Sequence, residues 1–317
     1  MLWFRRLTLA AIALCFVVVV FGAFVRLSDA GLGCPDWPGC YGHLTVTEVA
    51  ADAHKAWKEM IHRYLASTLG LLIVSLAVMS LRLRRQGAPR VLPILLVGLV
   101  IFQGMLGMWT VTWQLKPLAV SGHLLGGLST LSLLTWMWLS LRPRSDHRET
   151  SSPALRGLAT IALVALAVQI FLGGWTSSNY AALACPDFPT CHGSFWPETD
   201  VKEAFTLWRG LGINYEGGVL DNRARVTIHF AHRLGAMLIA TLGVLLAVAL
   251  LRAGSTPLRR FGIAVAGALT LQVALGITIV KLQLPLLLAD MHNAGAAVLL
   301  LTLVTLNHFL WTRTEST

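Results

Sequence analysis

The sequence predicts an all-α integral membrane protein whose eight transmembrane helices form two pseudo-symmetric four-helix bundles. Hydrophobic residues make up 56% of the 317 positions and charged residues only 13%, a composition typical of membrane proteins rather than soluble domains. Eight apolar runs are long enough to cross a bilayer, and the second half of the chain repeats motifs of the first half. Since lipid admits only helices or closed barrels, runs of this length predict helices.

The apolar runs predict where each membrane span lies. A helix needs about 20 residues to cross the hydrocarbon core of a bilayer. The predicted spans are 7–27, 61–81, 91–113, 118–141, 155–177, 227–251, 260–281 and 287–311. No small-residue cleavage site follows the first run, so we expect an uncleaved span rather than a signal peptide. The N-terminus also lacks the composition of a mitochondrial transit peptide, which favours a bacterial inner membrane.

The basic residues predict the orientation of the spans. Loops on the cytoplasmic side concentrate Lys and Arg, and the basic clusters here all fall on one side. They are Arg5 and Arg6 before span one, RLRRQGAPR after span two, RPRSDHRETSSPALR after span four, RAGSTPLRR after span six, and Arg313 in the tail. Both termini are therefore expected in the cytoplasm. Because the clusters are short and flank helices, the net charge of +10 favours contact with anionic lipid over nucleic-acid binding.

The chain contains an internal repeat. The loop CPDWPGCYG at 34–42 recurs 151 positions later as CPDFPTCHG, whereas QGMLG at 103–107 recurs 169 positions later as QVALG. The difference predicts an insertion of about 19 residues in the second half, at LWRGLGINYEGGVLDNRARV. Each half carries four spans, so the two halves have the same orientation in the membrane. We predict an N-terminal half at 1–150 and a C-terminal half at 151–317.

Four histidines stand at matching positions of the repeat, near the starts of spans two, four, six and eight. They are His62, His123, His232 and His292. Ionisable side chains inside membrane helices usually face the bundle interior and have a function. Two imidazoles from facing helices in each half favour haem ligation. A structural hydrogen bond is the alternative for any single histidine, and zinc is the alternative metal, although a zinc site takes four ligands.

The residues beside these histidines differ between the halves. Glu59 lies one helical turn before His62, while His229 takes the equivalent place in the second half. A carboxylate at this position can act as a general base, position water or stabilise a cation. A solvated residue at a helix start is the alternative. Arg63 and Arg233 are predicted to bind haem propionates, with snorkelling to the membrane interface as the alternative.

Together these residues resemble the haem A synthases of respiratory chains. The resemblance covers nearly the whole chain and includes EMIHR at 59–63, the second histidine of each half and the cysteine pairs. It implies oxidation of the C8 methyl of haem O to a formyl group, giving haem A for terminal oxidases. It also implies that His232 and His292 hold a low-spin haem B, that His62 and His123 line the site of the substrate haem O, and that Glu59 is essential.

The cysteine loops are expected on the outer, oxidising side of the membrane, where disulfides persist. Cys34 with Cys40 and Cys185 with Cys191 are close enough in sequence for local bridges. Both a structural and a redox role are open, although neither pair has the C-x-x-C spacing of redox motifs. Cysteine loops in this family indicate a bacterial member. The remaining Cys15 is predicted to pack inside a span.

Three other functions compete with haem A synthesis. A di-haem b-type carrier linked to quinol fits the histidines, but it gives no role to Glu59. A thiol–disulfide oxidoreductase fits the cysteine loops, and a transporter fits the duplication alone. Haem O synthase and an electron-transfer protein are the protein partners that haem A synthesis implies.

Overall fold

The computed structural model of the protein describes residues 1–48, 50–141 and 152–312. Over these ranges the chain is helical and has no named strand, which confirms the predicted all-α class. The elements are α1 (Leu2–Leu27), α2 (Ala53–Arg82), α3 (Val91–Thr112), α4 (Pro117–Ser140), α5 (Pro153–Ser178), α6 (Val201–Ala204), α7 (Asn222–Arg252), α8 (Thr256–Lys281) and α9 (Leu286–Thr312), with a 3-10 turn at Arg84–Gln86. Most of the basic loop after span four, the predicted boundary between residues 150 and 151, and Arg313 lie outside the described residues.

All helices except the single turn α6 are long and apolar enough to cross a membrane, which confirms the eight predicted spans. Most of them begin earlier than their apolar runs, and α2 and α7 begin at Ala53 and Asn222 rather than at the predicted residues 61 and 227. The carboxylate of Asp52 accepts a hydrogen bond from the N–H of Lys55, and the carboxylate of Asp221 accepts one from the N–H of Ala224. These side chains cap α2 and α7, so both helices extend outward beyond the apolar segment that hydropathy detects.

The long helices pack in two rings. In the first ring, α1 contacts α2 and α4, and α3 contacts the same two helices. In the second ring, α5 contacts α7 and α9, and α8 contacts the same two helices. The rings meet through α1, α4, α5 and α9. This packing is consistent with the predicted pair of four-helix bundles.

One contact lies between two residues that the repeat aligns with each other. The guanidinium of Arg26 donates to the main-chain carbonyl of Ser177 at 3.1 Å, and the offset of 151 aligns these two positions. The same guanidinium lies 4.4 Å from the ring centre of Tyr180. A residue that touches its own counterpart lies near the axis that relates two copies. The C-terminal ends of α1 and α5 therefore meet close to this axis.

The predicted insertion is the loop between α6 and α7, and it packs on the other ring. The N–H of Tyr215 donates to the carbonyl of Gln114 at 3.0 Å, between α3 and α4. The ammonium of Lys116 donates to the carbonyl of Gly210 and lies 3.2 Å from the ring centre of Trp208. Lys116 is almost fully buried by these contacts. The insertion therefore links the two rings of helices at the ends that carry the cysteine loops.

Candidate functional site

The first pair of predicted site histidines comes together at the centre of the first ring. The imidazoles of His62 on α2 and His123 on α4 have ring centres 6.4 Å apart and planes at 84° to each other. A metal ion bonded to a nitrogen of each ring at about 2 Å places the ring centres about 6 Å apart. The spacing of this pair would therefore allow both imidazoles to bind one haem iron.

Each of the four histidines lies against a glycine on the neighbouring helix. The pairs are His62 with Gly22, His123 with Gly107, His232 with Gly173 and His292 with Gly276. A Cβ added to Gly22 would stand 2.7 Å from the ring of His62, and at the other three glycines the corresponding distance is 3.1–3.3 Å. The four glycines therefore leave room for imidazoles at equivalent places in both rings of helices.

Three glutamines contact the residues that carry these imidazoles. The carboxamide of Gln103 donates to the main-chain carbonyl of His123 at 2.9 Å. The carboxamide nitrogen of Gln169 lies 2.9 Å from the carbonyl and 3.0 Å from Nδ1 of His232. The carboxamide nitrogen of Gln272 lies 3.3 Å from Nε2 of His292.

Sequence reasoning found two of these glutamines as part of the repeat and missed Gln169. The signal was present, because the spacing Q-x-x-x-G occurs in QGMLG, QIFLG and QVALG, on three of the four helices that face a histidine.

Glu59 is buried and is bonded to the first cysteine loop. One carboxylate oxygen accepts a hydrogen bond from the N–H of Cys34 at 2.8 Å, and the other pairs with the guanidinium of Arg63. At the equivalent place in the second ring, Nδ1 of His229 accepts from the N–H of Cys185 at 3.1 Å. The two halves therefore share one hydrogen-bonding pattern, in which the acceptor is a carboxylate in the first half and an imidazole in the second.

Both predicted disulfides are present, Cys34–Cys40 and Cys185–Cys191. A carboxylate organises each loop from within. Asp36 accepts from the N–H groups of Tyr41 and Gly42 at 2.6 and 2.7 Å, and Asp187 accepts from those of His192 and Gly193 at 2.6 and 2.9 Å. The N–H of Gly42 is the main cause that lowers the pKa of Asp36, and the hydroxyl of Thr190 is the main cause that lowers the pKa of Asp187.

The two arginines hold these loops against the histidine helices. Arg63 donates to the carbonyls of Asp36 and Pro38 at 2.9 and 3.2 Å. Arg233 donates to the carbonyls of Thr190 and Cys185, both at 2.8 Å. Sequence reasoning did not foresee these contacts, since a carbonyl acceptor leaves no sequence signal. Propionate binding by Arg63 and Arg233 stays a prediction.

The donor set of these sites fits a haem better than a zinc ion. Among the described residues, no three His, Cys, Asp or Glu side chains are grouped so that they could hold a metal ion. In each half two imidazoles on alternate helices, each against a glycine, could supply the pair of ligands that a haem iron takes. Nδ1 of His62, of His123 and of His292 is buried without a hydrogen-bond partner, as are the three glutamine carboxamide oxygens. Buried polar atoms normally have partners, and a carboxamide oxygen can supply the acceptor that an imidazole Nδ1–H needs when Nε2 binds a metal.

Comparison with known proteins gives one consistent result. Residues 5–304 match the family model described as cytochrome oxidase assembly protein, COX15-CtaA. A protein of Shewanella oneidensis named heme A synthase is 48% identical over 330 residues, covering 99% of this chain and 98% of the relative. A heme A synthase of Caulobacter vibrioides is 28% identical, with 91% and 90% covered, and one of Sinorhizobium fredii is 27% identical, with 90% and 83% covered.

Proposed function

Because this chain belongs to the COX15-CtaA family of cytochrome oxidase assembly proteins, we propose that it is a haem A synthase of a bacterial inner membrane. The reaction oxidises the C8 methyl of haem O to a formyl group. Two successive hydroxylations of that carbon each replace a hydrogen by a hydroxyl group from water, with two electrons passing to an electron-transfer partner and two protons released. Loss of water from the resulting gem-diol gives the aldehyde. The observation that carries the proposal is the imidazole pair His62 and His123, at iron-bridging distance, with the buried carboxylate of Glu59 one turn away.

The first ring is the substrate site. His62 and His123 orient the porphyrin of haem O, and the glycines Gly22 and Gly107 leave room for the two imidazoles. The carboxylate of Glu59 is held by Arg63 and by the first cysteine loop, and it accepts the proton that leaves during hydroxylation. The farnesyl tail of haem O stays in the lipid, since the ring of helices is surrounded by the membrane.

The second ring holds the resident cofactor, haem B. His232 and His292 are its ligands, and Gln169 and Gln272 contact them. When bound between two imidazoles, this group supplies one-electron transfer. His229 in place of Glu59 removes the carboxylate, which fits a site that carries electrons and performs no hydroxylation.

The basic loops place both termini in the cytoplasm and the cysteine loops outside. Arg63 and Arg233 then lie at the outer ends of their helices, where each holds its disulfide loop and, in this proposal, meets the propionates of a haem. The division into halves at residues 150 and 151 follows the repeat. Haem O synthase is the expected neighbour in the membrane, because its product is the substrate.

Pigment extraction tests the proposal. The purified protein, expressed with haem O synthase, is expected to release haem B together with haem O, haem A or the alcohol between them. Release of haem B alone at two equivalents per chain, with no haem A formed in the cells, would instead indicate a di-haem electron carrier.

A further inference from the structure

The repeat brings together four histidine sites, and one of the four is built differently. Each site is formed by two positions on each of two helices. One helix has the histidine and the position three residues after it, and the facing helix has a glycine and the position four residues before it. In three sites these two extra positions hold glycine and glutamine. The three sets are Gln103, Gly107, His123 and Gly126; Gln169, Gly173, His232 and Gly235; and Gln272, Gly276, His292 and Gly295.

The glutamine and the second glycine of each set depend on each other. A Cβ added to Gly126, Gly235 or Gly295 would stand closer than 3.0 Å to the carboxamide oxygen of the facing glutamine. Real Cβ atoms essentially never come that close to another heavy atom. Glutamine can therefore reach the histidine helix only where that helix has no side chain three residues after the histidine.

His62 lacks both parts of this set. The repeat aligns Val18 with Gln169 and Leu65 with Gly235, so hydrocarbon stands at both positions. Nδ1 of His62 is buried without a hydrogen-bond partner, as is Nδ1 of His123 and of His292. Those two residues nevertheless contact their glutamines, His123 at its main-chain carbonyl and His292 at Nε2, whereas no glutamine among the described residues bonds to His62. The imidazole of His62 lies against Gly22, and the ring centres of Phe21 and His123 are each 6.4 Å from its own.

We propose that the three buried glutamines are positioning residues for the histidines they face, and that His62 is the exchangeable ligand of the substrate site. The inference rests on the proposed function, because it assigns roles toward the two haems. An imidazole that binds iron through Nε2 carries its proton on Nδ1 and is fixed by an acceptor there. A half-turn of the carboxamide of Gln169 brings its unpartnered oxygen to within about 3 Å of Nδ1 of His232.

The consequence differs between the two sites. Both histidines of the C-terminal site have a glutamine against the imidazole, Gln169 at Nδ1 of His232 and Gln272 at Nε2 of His292, so both side chains would be held in place there. In the N-terminal site only His123 is held, and the side of His62 can open to a small molecule while the haem stays bound. An opening on this side also lies next to Glu59, three residues before His62, where the reaction needs access.

Carbon monoxide binding tests this difference, since the gas binds ferrous haem only where an axial ligand leaves. Two site-specific forms of the full chain, both loaded with haem b, separate the signals. His232→Ala with His292→Ala leaves the N-terminal site, and His62→Ala with His123→Ala leaves the C-terminal site. We expect rapid carbon monoxide binding after flash photolysis in the first form and no binding in the second.

Glutamine variants test the cause. In the C-terminal form, Gln272→Leu or Gln169→Leu is expected to allow carbon monoxide binding and to speed haem transfer to apomyoglobin about 10- to 100-fold. Gln283→Leu, a glutamine that only contacts the carbonyl of Val280, is the matched control and is expected to change neither. Two independent glutamines keep the test valid if one variant fails to fold.

The reverse change completes the test. Val18→Gln combined with Leu65→Gly installs the missing pair in the N-terminal form and is expected to slow carbon monoxide binding about tenfold or more. Equal carbon monoxide rates in the two forms, or glutamine variants that behave like Gln283→Leu, would overturn the inference and leave the proposed function standing. Failure of both forms to bind any haem would overturn the proposed function, and the inference with it.

Discussion

The two histidine sites are copies of one arrangement, and they differ at the places where a reaction and a resident cofactor make different demands. Both have two imidazoles on alternate helices, two facing glycines, and an arginine that clamps a disulfide loop. The N-terminal site has Glu59, Val18 and Leu65 where the C-terminal site has His229, Gln169 and Gly235. One copy thus gains a buried carboxylate and loses one positioning glutamine.

This comparison teaches which features belong to the fold and which belong to the chemistry. A feature present in both copies serves the architecture. An example is the loop N–H that donates a hydrogen bond to the side chain three residues before the first histidine of each site. A feature present in one copy needs a reason in that copy. A buried carboxylate costs free energy unless it is paired, and Arg63 and the N–H of Cys34 supply the partners of Glu59. In the proposed function, the first site keeps this costly group as its proton acceptor.

The largest effect is expected from Glu59→Gln. The amide keeps the size and one acceptor oxygen but cannot take a proton, so haem A formation should fall about 100-fold or more. Haem content should stay near that of the unchanged protein, because neither His62 nor His123 is altered. Pigment analysis of cells that also make haem O measures both quantities.

The matched control is His229→Gln, which alters the equivalent position of the second site. It should leave the hydroxylation step intact and affect only the haem held by His232 and His292. Equal losses of haem A in the two variants would show that the position is structural in both copies and would remove the proton-accepting role of Glu59.

The next largest effect, on the haem retained per chain, is expected from alanine substitutions at the glycines that face the histidines. A Cβ at Gly22 would come within 2.7 Å of His62, whereas at Gly107 it would stay 3.3 Å from His123. Gly22→Ala should therefore displace its imidazole, at a cost of about 1–3 kcal/mol for overpacking, and Gly107→Ala should cost less. Haem retained per chain after purification gives the ranking, and the opposite order would mean that α1 moves more freely than α3.

A smaller effect is expected from the disulfide loops. Replacing both cysteines of either pair by serine removes a short covalent loop, which stabilises a folded chain by about 2 kcal/mol. Only the Cys34–Cys40 loop donates an N–H to Glu59, so its removal should lower haem A yield several-fold more than removal of Cys185–Cys191. A complete loss of activity from either pair would favour a redox role for the cysteines.

Much of this arrangement could be predicted from the sequence, because membrane helices are recognisable as long apolar runs and the repeat aligns the key residues of the two halves. The spans, the histidine positions and both cysteine pairs follow from apolar length and offset alone. The bonding of Arg63 and Arg233 to loop carbonyls could not be predicted, since any residue supplies a carbonyl. The starts of α2 and α7 were missed because Asp52 and Asp221 extend these helices into polar sequence.

The smallest expected effect is a difference in the pH at which the two cysteine loops open in acid. Hydrogen bonds lower the pKa of both Asp36 and Asp187 below the ordinary value of 3.8, so each carboxylate contributes stability above that value and loses it as the pH falls through its lowered pKa. Asp187 also accepts from the hydroxyl of Thr190, a bond that the first loop lacks because Gly39 stands at that position. The second loop should therefore keep its amide protection to a lower pH than the first. Hydrogen exchange measured across this acid range checks the order, and Thr190→Gly should make the two loops alike; earlier opening of the second loop would contradict the assignment of Thr190.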